Sequence, residues 1–114
     1  MIPSFLDDNQ SARTIAASTT HAAATAVDVP SDPKANYAIV IKNISDFKAI
    51  ISRRQGPSGT SWAVREVNCT NKSFRYIGEG DTLNEAMANL HTRDDMSPVI
   101  PGSISYYIVN AACK

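Results

Sequence analysis

The chain has 114 residues, enough for one small domain and too few for two. Its 11 basic and 11 acidic residues cancel, which excludes an overall electrostatic commitment to nucleic acid, while 43% hydrophobic and 19% charged residues allow a packed core. No apolar run approaches the roughly 18 residues of a membrane helix, and no internal repeat or heptad series is present.

Ala, Ser and Thr dominate residues 9–26, where Ile15 and, just beyond, Val27 are the sizeable apolar side chains. Such a segment can turn transiently helical but has no apolar stripe with which to dock. Pro30 and Pro33 then interrupt it. This predicts residues 1–34 as a disordered or weakly helical tail and 35–114 as a single domain. The first residues lack the basic segment and apolar stretch of a secretory leader, so the chain is either cytoplasmic or a mature form separated from its leader.

Tyr37–Ile41 is a β-branched run between Asn36 and Asn43, which predicts a strand. Phe47–Arg54 alternates well enough for a second strand, although Ile44, Phe47 and Ile51 also fit a helical face. Gly56–Gly59 carries turn chemistry. Trp62–Cys69 and Ser73–Ile77 then read as a hairpin. With Asn71 and Lys72 as its turn, Cys69 faces Phe74 and Val67 faces Tyr76, so these four share one apolar face while Glu66, Asn68, Arg75 and Ile77 take the other.

Thr82 followed by Glu85 is a capping box, and Leu83, Ala86, Met87 and Leu90 mark the buried side of a helix over about 82–91. Pro101 and Gly102 suit the centre of a type II turn, and Ile104–Ala111 is predicted as the last strand. The expected fold is α+β: a mainly antiparallel sheet of about five strands with one helix packed on a face.

The two cysteines, Cys69 and Cys113, form no Cys-x-x-Cys unit, and with only His21 and His91 beside them a zinc site is not indicated. Both project toward the expected core. They are either a disulfide, worth about 4 kcal/mol in the chain-entropy model, or two buried thiols; the position of Cys113 next to the chain end favours the bond and an oxidising compartment.

Trp62-Ala-Val-Arg-Glu-Val-Asn-Cys69, Phe74-Arg-Tyr76, Pro101-Gly-Ser103 and the terminal Ala112-Cys113-Lys114 together resemble small secreted proteins of Gram-negative bacteria of the surface-adhesin protein E type. The resemblance spans residues 62–114. It implies that Cys69 and Cys113 are disulfide partners and that the setting is periplasmic or cell-surface; free thiols would instead mean the cytoplasm. At its start the sequence departs from that pattern, which has a leader and a lipid-modifiable cysteine, so membrane anchoring is not implied, and no adhesive residue carries over.

Catalytic chemistry is thin. Ser58 sits in a loop without a nucleophile elbow, and His91 is the one base to consider. Glu79, Asp81, Asp94 and Asp95 bracket the helix without the spacing of a calcium loop. Asn-x-Ser/Thr matches at Asn43, Asn68 and Asn71 are common by chance. The residues therefore point to no enzyme, metal or cofactor.

Charge is uneven along the chain: residues 1–35 carry two basic against four acidic side chains, 42–75 seven against two, and 76–114 two against five. The basic middle either pairs with the acidic ends or meets an anionic partner. Trp62, Arg54, Arg75 and Lys48 fall in or beside this middle, and an exposed Trp–Arg face has the composition of a binding hot spot, whereas a buried Trp62 is plain core. Two functions follow. One is a non-enzymatic secreted binding or adhesion module with a protein or polyanionic surface as partner, with no specific nucleic acid and no membrane span. The other is a structural subunit of a larger assembly, such as a secretion apparatus or virion, whose N-terminal tail orders on a partner.

Overall fold

The computed structural model describes residues 24–44, 47–92 and 94–114. Six strands, β1 (Thr25–Val27), β2 (Asn36–Ile44), β3 (Phe47–Gly56), β4 (Gly59–Asn68), β5 (Ser73–Gly80) and β6 (Ser97–Pro98), are joined by two helices, α1 (Leu83–Ala88) between β5 and β6 and α2 (Ile104–Ala112) at the end. The strands lie side by side in chain order, and every neighbouring pair is antiparallel. The α+β class and the antiparallel sheet therefore hold. The sheet gains short strands at its two edges, and residues 47–56 are strand rather than helix.

Register sorts the side chains into two faces, because directly opposed residues point the same way. Ala38, Arg53 and Trp62 form one row and Val40, Ile51 and Val64 the next. These pack with Ile77 and with Leu83 and Ala86 of α1. On the opposite face Ile39, Ile50 and Val67 pack with Ile108, Val109 and Ala112 of α2. The sheet is thus covered on both sides, one helix to each.

Thr82 caps α1 as expected, its hydroxyl accepting from the Glu85 amide at 3.1 Å, while the Glu85 carboxylate accepts from that same hydroxyl at 3.2 Å. Gly78 and Gly80 lie within β5 and allow the close approach of α1: a Cβ on Gly78 would sit 2.3 Å from the Ala86 carbonyl oxygen. A bulge on β5 between the pairs Val64–Gly78 and Arg65–Tyr76 leaves Ile77 as the extra residue, turned to the α1 side. Beyond β6, the outer edge of β5 is covered by its own connection, where the His91 amide donates to the Ile77 carbonyl at 2.8 Å.

Three expectations need correction. Residues 24–34 are not tail: β1 pairs with β2, Ala24 and Val29 are buried, and Asp32 bonds to Tyr37 and Arg54. Three paired residues and two buried apolar side chains dock this stretch without any apolar helical stripe. The expectation for residues 1–23 lies outside the described residues.

Ile104–Ala112 is a helix, not a strand. The expected turn is present, with Gly102 at φ 86° and the Ser103 amide bonded to the Ile100 carbonyl at 3.0 Å. It delivers Ser103 as an N-cap, accepting from the Tyr106 amide at 3.1 Å. Ser105, Ile108, Val109 and Ala112 then share one buried side at helical spacing, so burial overrides the β-propensity of Ile104–Val109.

The third correction concerns the hairpin, which pairs Val67 with Phe74 and Glu66 with Arg75, two residues away from the expected register. Its connection is four residues, 69–72, with Lys72 at φ 55°. A shift of two leaves every side chain on its expected face, which is why the apolar set survives.

Candidate functional site

The expected Trp62, Arg54, Arg75 and Lys48 surface does not form. Trp62 does point away from Val67 and Cys69, but α1 covers that face, and the indole is 3% exposed with the Arg53 guanidinium 5.8 Å from its centroid. Arg75 shares this face, where Glu66 accepts from its Nε and Nη2 at 2.8 Å and the Asp94 carbonyl from its Nη1 at 3.1 Å. Arg54 and Lys48 point to the α2 side. Lys48 is exposed, and Arg54 donates from Nε to Asp32 at 2.8 Å. Trp62 is therefore core, and two of the three cations bind neighbouring acids.

Cys69 and Cys113 are bonded, with their Cα atoms 5.4 Å apart. The bond ties the end of α2 to the β4–β5 connection, and it is consistent with an oxidising environment. The Lys72 ammonium donates to the Asn110 side-chain oxygen at the same end of the molecule.

Ser58 lies on the exposed β3–β4 turn. Asp94 and Asp95 lie in the connection after α1, and among the described residues no three His, Cys, Asp or Glu side chains converge on one point. No helix of the described residues is long and apolar enough to cross a membrane.

A different residue centres the site. Arg65 is 3% exposed on the α2 side of β4, beneath the start of α2. Its Nε donates to Ser105 Oγ at 3.1 Å, Nη1 to Ser52 Oγ at 2.7 Å and Nη2 to the Tyr76 hydroxyl at 3.0 Å. The guanidinium carbon is 4.7 Å from the Tyr76 ring centroid, a cation–π distance. Tyr76 and Ser105 are bonded to one another at 3.1 Å, and Ser52 also donates to the Ala63 carbonyl at 3.4 Å. Among the described residues, none of these partners is a carboxylate.

A cleft of about 510 Å³ opens beside this network. Ser61 and Ala63 form its floor; Tyr37 and Arg54 border it on one side, Glu79 and Asp81 on the other, and Ile104 stands at its end with Arg65 and Tyr76. Tyr37 donates to Asp32 at 2.7 Å, and burial followed by that bond pushes its phenol from 10.0 up to about 12. The bonds from Arg54 and Tyr37 hold the Asp32 carboxyl below its usual 3.8. The sequence carried a faint sign of this site: Arg65 is a charged residue on the parity of the apolar Val67 and Cys69, where an apolar side chain would be the ordinary choice. Its depth comes from α2, whose residues have strand-like side chains but form a helix.

Fold and site together define a small disulfide-linked α+β domain, a six-stranded antiparallel meander between two helices, with a charged cleft beside a buried arginine. No family model matches the chain, no curated protein matches it, and no solved structure matches it.

Proposed function

We propose that this chain is a non-enzymatic binding or adhesion module of the periplasm or cell surface. The observation that carries the reading is the Cys69–Cys113 bond, since cytosolic thiol buffers keep such pairs reduced. The likeness of residues 62–114 to surface-adhesin protein E chains supports the same compartment. The cleft supports binding, because it combines hydroxyls, aromatic rings and charges of both signs on rigid strands. Thiol trapping of the full precursor in its native cell tests the compartment. The reading expects no alkylated cysteine before reduction, together with recovery outside the cytoplasm; two labelled thiols in cytoplasmic material would overturn it.

A further inference from the structure

We propose that the cleft beside Arg65 binds a short zwitterionic peptide of two or three residues, its terminal carboxylate at Arg65 and its terminal ammonium at Glu79 and Asp81. This deepens the binding-module reading and rests on it.

The argument begins with a charge imbalance. A guanidinium has five N–H donors, and in Arg65 three nitrogens each donate to a neutral hydroxyl, leaving one hydrogen on each Nη. Removing a cation from water is costly unless a counter-charge replaces the solvent. Among the described residues no carboxylate bonds to Arg65, in contrast to Arg54 and Arg75, which each hold one. Ser105 lies in the first turn of α2, so the positive end of that helix adds to the field rather than offsetting it. An anion entering the cleft meets all of these at once, and a carboxylate matches the planar donor fork.

The acidic side decides the rest. Glu79 and Asp81 are exposed along the same cleft, and they disfavour a polyanion such as a phosphorylated or sulfated surface. They suit a ligand whose other end is cationic. Arg65 pairs with Tyr76 and Ala63 with Glu79, so the two charged rows are two residues apart on adjacent strands. That separates them by about 7–10 Å, the span of two to three extended residues. Ile104 and Tyr76 supply apolar surface at the Arg65 end.

The experiment is an amide NMR titration of the oxidised protein with the dipeptide Gly-Leu, its C-terminal amide, its N-acetyl form, and inorganic phosphate. Gly-Leu is expected to give saturable shifts at Ser61, Ala63 and Glu79. The C-terminal amide should bind at least about tenfold more weakly and the N-acetyl form several-fold more weakly. Glu79→Gln, at an exposed position, should shrink the difference between Gly-Leu and its N-acetyl form, the double variant with Asp81→Asn should erase it, and Arg65→Gln should erase the preference for a free carboxylate. If Arg65→Gln does not fold, the Glu79 variant and the blocked peptides still decide the matter. Phosphate binding as tightly as Gly-Leu, equal binding of the blocked forms, or no saturable shift by about 10 mM, a free energy too small for a specific site, would each overturn the proposal. Thiol trapping reads the compartment without reference to this cleft, so the two failures are distinguishable.

Discussion

Gly78 and Ala86 meet main chain to main chain: a Cβ at Gly78 would lie 2.3 Å from the Ala86 carbonyl oxygen, and one at Gly80 would lie 2.9 Å from the Ala86 amide nitrogen. Helix α1 is only six residues long, so its stability depends on this approach and on burying Leu83 and Ala86. Gly78→Ala should destabilise the domain by about 3 kcal/mol through overpacking, read as a lower midpoint in urea. An unchanged midpoint would mean that α1 is not seated against β5.

Trp62 anchors the same layer. Trp62→Ala should cost about 3–5 kcal/mol, as for other large aromatic truncations in cores, and thermal melts will register it. A melting temperature equal to that of the parent chain would return the indole to the surface.

On the opposite face, the disulfide closes a sequence separation of 44 residues. Reduction, or Cys113→Ser, should lower stability by about 4 kcal/mol in the chain-entropy model. Amides of 104–112 should lose more exchange protection than those of β3, because the bond holds the end of α2 and not the sheet. Equal loss in both would place the bond's effect on the fold as a whole.

Tyr37 gives an alkaline signature. Burial and the bond to Asp32 favour its neutral form, so the stability it contributes is complete below pH 10 and is lost as the pH rises from 10.0 toward about 12. An ultraviolet titration should show one late phenol ionisation, and Tyr37→Phe should remove it. A titration without that step would show the phenol to be open to solvent.

Asp32 acts at the other end of the scale. Arg54 and then Tyr37 hold its carboxyl below 3.8, so the stability it adds is present above that value and lost as the pH falls through the lower folded value. Asp32→Asn should flatten the acid limb of the stability profile and loosen residues 24–35, detected by hydrogen exchange. Superimposable acid limbs would remove the ion pair from the account of how this segment docks.

What the sequence by itself determined were properties written locally. Alternation placed Val67, Cys69, Phe74 and Tyr76 on one face and Trp62 and Val64 on the other. Thr82 and Glu85 marked a helix start and Pro101 and Gly102 a turn, while the bond between the two cysteines, left open by the sequence, was settled by the fold. Tertiary structure decided what lies against each face. Parity could not separate registers two residues apart, since both bury the same set, and the four-residue connection 69–72 resolved them. Ile104–Val109 has side chains that suit a strand, yet the Ser103 cap and the available apolar face of the sheet made it a helix. That helix covers Arg65, and α1 covers Trp62, so of the two roles open to Trp62 the core one holds, and the charged cleft lies beside Arg65 instead. Burial is a property of what packs on a residue from elsewhere in the chain, and no local pattern contains it.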